Sequence, residues 1–366
     1  MLTLTLHKEA LARGAILKDA SAYNVQFVGS KPIFIDLLSF DMWRSGQPWQ
    51  AYQQFCKHFL APLALIVSAD LHCVYLLKLW VEGISLELAS HLLPVKSYFS
   101  FALLWHIHLH ARLLAKSHDG RSVAQKARSV RVSKDSLFSI AKSLKSAVES
   151  IQLSKEKTPW GKYYEDTNYT EAATKEKMRI VTFVAERLKG KLAIDLGANT
   201  GRYSQLLAPY FDLVLAPDGD VLAVEQHYLS LKAGKCTNIL PLVLDLANPS
   251  PALGWACRER SSFKERCSAD LLLSLALVHH LVITAGIPFE EIVKCFSELL
   301  AEGGCALVEF IPKEDSQIQR MLAAREDVFK DYTEEHFKGA FSCKFSLVER
   351  FSVRESDRTL YLFKKL

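Results

Sequence analysis

Several familiar signatures are missing from the 366 residues. Cysteine is present at eight positions (Cys56, Cys73, Cys236, Cys257, Cys267, Cys295, Cys305 and Cys343), yet never in C-x-x-C spacing. That argues against a disulfide framework or a structural zinc site and for reduced thiols in a cytoplasmic chain. The start, MLTLTLHKEALARG, has no basic leader, long apolar run or cleavage site of a secretory signal. No apolar run is clean enough for a transmembrane segment. The most membrane-like stretch, Phe59 to Val81, is broken by Asp70, His72 and Lys78. Charges at the centre of a spanning helix are costly, so a buried helix or helix pair is expected there. The formal net charge of +5 is too small to argue by itself for nucleic acid.

What is present is a globular composition, 49% apolar and 23% charged. The length predicts two cores rather than one. Charge is unevenly spread: Arg112 to Lys157 holds eleven Lys/Arg against four Asp/Glu. Residues 1–116 read as a mainly helical domain, with long apolar runs at Gln50 to Ala69 and Tyr98 to Ala115. Residues 117–159 read as a basic, Ser-rich linker leading into an amphipathic helix. There Leu137, Ile140, Leu144, Val148 and Ile151 recur at helical spacing, a stripe suited to packing on a neighbour. A basic amphipathic helix lying on a membrane surface is the alternative.

Residues 160–366 change character. A helix is expected over Ala172 to Leu188, then β-like runs at Lys191 to Leu196, Leu213 to Ala216, Ile239 to Leu244, Ala269 to Leu275 and Cys305 to Phe310. Strands alternating with helices predict an α/β fold with a parallel sheet covered on both faces. Phe345 to Val353 and Thr359 to Phe363 predict a terminal hairpin adding an antiparallel edge strand.

The most informative segment is Ala193-Ile194-Asp195-Leu196-Gly197-Ala198-Asn199-Thr200-Gly201-Arg202. An apolar strand ends in an acid and runs into Gly-x-x-x-Gly. Gly197 permits a tight turn, and Gly201 would let backbone approach a ligand with no Cβ in the way. The dinucleotide fingerprint G-x-G-x-x-G is absent. An acid before the first glycine suits a cationic ligand better than a pyrophosphate.

This segment resembles motif I of class I methyltransferases dependent on S-adenosylmethionine (SAM), and similar elements follow in order. Val214 to Asp220 resembles the second strand, Leu242 to Leu246 the third, and Ala269 to Leu281, with its His-His-Leu, the fourth. The resemblance implies a Rossmann-like seven-strand domain with SAM as cofactor. It implies that Asp195, Gly197, Ala198, Asn199 and Gly201 surround the methionine part. Asp218 would take the ribose hydroxyls, with Asp220 as second choice, Asp245 and Leu246 would lie near the adenine, and Leu275 would also line the cofactor site. Asn248-Pro249-Ser250-Pro251 looks like the N-P-P-Y of amino-group methyltransferases but follows the third strand instead of the fourth, so a turn is expected.

SAM carries an activated methyl, so alignment in a dry cleft is the main requirement, and a base is needed only if the acceptor must lose a proton. His279 and His280 are the base candidates, with Glu309 next. Either histidine can equally be a packed core ring. The leading expectation is a small-molecule acceptor. A protein or nucleic-acid acceptor, favoured only by the basic stretch, and a module that holds SAM without turnover are the alternatives. The aromatic lead-in Trp160 to Tyr169 would either close over SAM or pack the domain junction. Oligomeric state is not legible.

Two weaker patterns lie in the first domain. Asp19, Asn24 and Asp36 follow the order of the catalytic core in kinase-like phosphotransferases. Leu37-Leu38 departs from the usual Phe-Gly, and only eighteen residues precede Asp19, so an inactive relic or an ordinary helix-loop-hairpin is expected. His106 and His110, with His108 between them, share the spacing zinc sites use, but no third ligand is near. No metal is expected.

Overall fold

In the computed structural model, which describes residues 1–115, 131–153, 170–234, 236–323 and 326–366, the chain divides into two units. One comprises Met1–Phe27 and Pro32–Lys155, the other Val28–Lys31 and Glu156–Leu366. Most of the basic linker, positions 116–130, and the whole lead-in Trp160 to Tyr169 lie outside the described residues.

The first unit is less purely helical than its composition suggests. Helix Leu2–Ala12 precedes β1 (Ala15–Leu17), a hairpin of β2 (Val25–Val28) and β3 (Lys31–Phe34), and β4 (Phe40–Met42), which pairs antiparallel with β1. Strands of three or four residues carry too little periodicity to stand out from neighbouring helical patterns. The apolar runs behave as expected. Residues 52–68 and 101–115 are helical, each with a π-helical stretch, Cys56–Leu60 and Leu104–Leu109. Phe59 to Val81 is divided at Asp70, whose carboxylate caps the 3-10 stretch Leu71–Lys78. Among the described residues no helix is long and apolar enough to cross a membrane. Ser133 caps helix Lys134–Ser150, and that helix buries Leu137, Ala141, Leu144 and Ala147, with Leu137, Leu144 and Ala147 in the same core as Leu4, Phe55 and Ile107.

The second unit is built on one seven-stranded sheet. Its strands are β5 (Gly190–Leu196), β6 (Phe211–Asp218), β7 (Ile239–Val243), β8 (Ala269–Ser274), β9 (Leu300–Phe310), β10 (Phe345–Ser352) and β11 (Thr359–Lys365). The order is β10-β11-β9-β8-β5-β6-β7, with parallel pairing from β9 through β7. The terminal hairpin joins this sheet differently from expectation. The antiparallel strand, β11, lies between β9 and β10, so β10 forms the edge and β11 is interior. Its composition explains the placement: Thr359 to Phe363 is buried throughout, whereas most of β10 is exposed or half-buried.

Alternate residues of the central strands feed two cores. Ala193, Val214 and Leu271 pack with Val181 and Val184 of helix Glu171–Leu188. Ile194 and Leu272 pack on the other face with Phe296, Phe337 and Phe341. Each fully buried Phe contributes about 2–3 kcal/mol of burial energy. Helices therefore cover both faces, and the carboxyl ends of β5, β6, β8 and β9 are left to carry chemistry.

Candidate functional site

The loop after β5 is stitched to the end of β6. Gly197 N and Ala198 N both donate to Pro217 O, at 3.0 and 3.1 Å. Asn199 N donates to Asp218 Oδ2 at 2.8 Å, and Asp220 N donates to Asp218 Oδ1 at 2.7 Å. Gly197, Asn199 and Gly201 all have positive φ (73°, 50° and 82°), conformations that glycine and asparagine tolerate best. The predicted cofactor loop is thus one hydrogen-bonded turn, with Asp195 at its root and Asp218 at its side.

Asp195 is 2% exposed. Ser204 Oγ donates to its Oδ2 at 2.6 Å. Burial pushes the carboxyl up to about 7; hydrogen bonding from Ser204 opposes the rise and the Asp218 charge adds to it. A buried acid at a strand end, raised this far and answered by a hydroxyl, fits an incoming cation such as the ammonium of an amino acid. Asp218 is also raised by burial, while the two amides from Asp220 and Asn199 favour its charged form. A carboxylate has about four acceptor positions, so both oxygens keep capacity for ligand hydroxyls. Asp220 is occupied differently, as the cap of helix Val221–Ala233 through Leu222 N and Ala223 N. Between the two acids the geometry favours Asp218.

The remaining candidates are spread along the same sheet edge. Asp245 Oδ1 accepts from Ala247 N at 2.9 Å and shapes the turn after β7, with Leu246 packed against the core. Leu275 is buried just beyond β8. Asn248 to Pro251 follows β7, in a loop where Ser250 O accepts from Phe263 N.

The base candidates lie in or beside the core. His279 is 3% exposed, and its ring lies 4.1 Å from that of His280. Burial, then the neighbouring His280, Arg358 and Lys177 charges, hold His279 well below its ordinary range. Burial lowers His280 to about 4. Burial thus favours the neutral form of both rings. Glu309, 1% exposed, is committed elsewhere: Lys177 Nζ and Ala276 N both donate to its Oε2, at 2.8 and 2.7 Å.

Lys177 is the residue that sequence reasoning passed over. It is 2% exposed, lies on the buried stripe of helix Glu171–Leu188 between Ala173 and Ile180, and stands 5.5 Å from the Tyr203 ring centroid. A lysine on an otherwise apolar helix face was the available signal. Gly201 has a packing constraint that the sequence did not show. A Cβ there would stand 2.0 Å from His227 Nε2, so the space beside it is filled by helix Val221–Ala233 rather than held open for a ligand.

In the first unit, Asn24 Nδ2 donates to Ser39 Oγ (2.9 Å) and Ser39 Oγ donates to Asp36 Oδ2 (2.6 Å), drawing two of the three kinase-like positions into one chain. Asp19 instead accepts from Ser21 N in its own turn. Both nitrogens of His106 have protein partners, Tyr52 Oη and Ser143 Oγ, and His110 stacks on Tyr52. That leaves His106 no lone pair for zinc. Among the described residues no group of three or more His, Cys, Asp or Glu is placed to hold a metal.

Over 368 aligned positions, the chain is 38% identical to nodulation protein NoeA of Rhizobium meliloti (strain 1021), covering 99% of the chain and 76% of that protein. The chain belongs to the NoeA family. No protein-family model matches it. Among solved structures, it is similar to N-methyltransferase NodS from Bradyrhizobium japonicum WM9 in complex with S-adenosyl-L-homocysteine (SAH). That match has a TM-score of 0.41 and 14% identity, over 58% of this chain and 93% of the other. It is also similar to magnesium protoporphyrin IX methyltransferase (ChlM) from Synechocystis PCC 6803 with bound SAH. Here the TM-score is 0.39 with 18% identity, over 57% and 92%.

Proposed function

We propose that the second unit binds SAM at the carboxyl ends of β5 and β6 and transfers its methyl group to a small-molecule acceptor. The observation that carries this reading is Asp195, a carboxyl buried at a strand end with Ser204 as its hydrogen-bond partner, under a glycine turn whose amide is held by Asp218. Asp195 would receive the amino group of the ligand and Asp218 its ribose hydroxyls. Ala198 and Asn199 would bound the methionine part, and Asp245, Leu246 and Leu275 the adenine side. Bound there, SAM supplies a methyl on a sulfonium that a lone pair on the acceptor attacks directly. The chain's own task is then orientation and exclusion of water.

A second reading has an observation in its favour. Burial disfavours the charged form of His279 and His280, and Glu309 is paired with Lys177. An acceptor needing deprotonation would find no ready base, which suits a module that holds SAM or SAH without turnover. Incubation with methyl-labelled SAM and fractionated cell extract separates the readings. Label in the small-molecule fraction supports the transferase as stated, and label in protein or nucleic acid moves the acceptor class. SAH binding with no SAH formed from any fraction supports the holding module.

A further inference from the structure

His227 is fully buried, and neither ring nitrogen has a hydrogen-bond partner among the described residues. Burying an imidazole that way costs stability, and an apolar side chain would fill the same volume without the cost. Its location suggests what it does. The ring projects from helix Val221–Ala233 toward the loop after β5. A Cβ built on Gly201 would meet Nε2, Cε1 and Cδ2 at 2.0, 2.2 and 2.4 Å. No real Cβ contact is that short, so ring and glycine exclude any side chain at position 201. Gly197, at the other end of the same turn, differs. There an added Cβ would meet nothing nearer than Leu277 at 3.4 Å, so its φ of 73° alone calls for glycine.

Gly201 N donates to Ala198 O, and Gly201 O accepts from Gln205 N as the chain winds toward helix Ser204–Leu207. The backbone wedged over His227 therefore sets the pitch of the turn carrying Asn199 and of the segment carrying Ser204, the hydroxyl on Asp195. Helix Val221–Ala233 is itself anchored at its first turn by Asp220, next to Asp218.

We propose that His227 is a positioning residue for the cofactor loop: its ring, seated beneath Gly201, fixes the distance between the loop and helix Val221–Ala233, and adds a steric demand for glycine at 201 to the one its positive φ already makes. The inference rests on the SAM reading above for its function but not for its structural part.

The test is a set of four proteins, wild type, Gly201→Ala, His227→Ala and the double variant, each measured for thermal stability and for SAH binding by calorimetry. Gly201→Ala alone should lower Tm and weaken SAH binding by about a hundredfold, from the clash and the positive φ together. His227→Ala should weaken binding about tenfold as the loop loses its support. The double variant should bind SAH about tenfold more tightly than Gly201→Ala and melt at a higher temperature, because only the backbone strain remains. A double variant no better than Gly201→Ala in either measurement overturns the pairing. If Gly201→Ala does not fold, recovery of folded protein on adding His227→Ala supports the pairing, and failure to recover overturns it. His227→Leu adds a readout that simple loss of packing would not give. A side chain of similar volume without unpaired nitrogens should raise Tm and keep SAH affinity within about threefold. A loss as large as that of His227→Ala would contradict a purely positional role. If wild type binds no SAH while the Tm values follow the expected order, the pair stands and the SAM reading falls.

Discussion

Two carboxyls are buried to nearly the same depth at the carboxyl ends of β5 and β9, Asp195 at 2% exposure and Glu309 at 1%. Their surroundings differ, although the Lys177 charge reaches Asp195 as well. Glu309 meets the fully buried Lys177 Nζ at 2.8 Å, whose ammonium form burial disfavours and Glu309 supports, together with the amide of Ala276. Asp195 is hydrogen-bonded by the hydroxyl of Ser204, and burial lifts it to about 7. A buried charge with its counter-ion inside the fold is a structural tie, closing helix Glu171–Leu188 onto β9 and the turn after β8. A buried acid that lacks a full counter-charge is costly, and that cost is offset when a cationic ligand arrives. Depth alone does not mark a functional carboxylate; the partner does.

The comparison breaks most sharply at Lys177. Lys177→Met leaves Glu309 buried without its ammonium and should lower stability by about 3–5 kcal/mol in urea unfolding, with Glu309→Gln costing less because its charge goes too. A Lys177→Met loss under about 1 kcal/mol would mean that the pair is not a tie. At Asp195 the signs separate. Its folded value near 7 lies above the ordinary 3.8. The fold therefore favours the protonated acid: this contribution is fully present below about pH 4 and is lost as pH rises through about 7. Asp195→Asn should accordingly unfold with about 1–3 kcal/mol more resistance at about pH 8 and show little gain at about pH 4. The same change should abolish SAH binding, a stability gain coupled to functional loss. Ser204→Ala should have the smallest effect. Without a hydroxyl that favours the anion, SAH binding at neutral pH should weaken about threefold to tenfold, and its pH midpoint should move upward.

Much of the second unit was legible because strand and turn chemistry are local. The five parallel strands appear within a few residues of the apolar runs that predict them. β9 is the exception: it starts at Leu300 instead of Cys305, across Gly303 and Gly304, where its register against β8 shifts. Asp195, Asn199 and Asp218 come together because β5 and β6 are parallel neighbours whose carboxyl ends lie side by side, a relation that motif order already contains. The Lys177–Glu309 pair spans 132 positions and leaves only a lone charge in each of two apolar patterns. His227 was silent for a similar reason: the partner that gives it meaning is a glycine, and a glycine in a nucleotide-type loop invites a ligand explanation first. The small strands of the first unit escaped because three residues cannot show a period. The arrangement of β10 and β11 escaped because hairpin signals give pairing but not insertion order.

The central claim, that Asp195 grips a cationic ligand, is tested most directly by SAH calorimetry at about pH 6.5 in two buffers of different ionisation enthalpy. Binding that needs the Asp195 anion should release about half a proton or more per ligand and weaken toward about tenfold per unit of falling pH once the acid is mostly protonated. Asp195→Asn should give no heat. Tight binding with no proton release, undiminished in Asp195→Asn, would contradict the account.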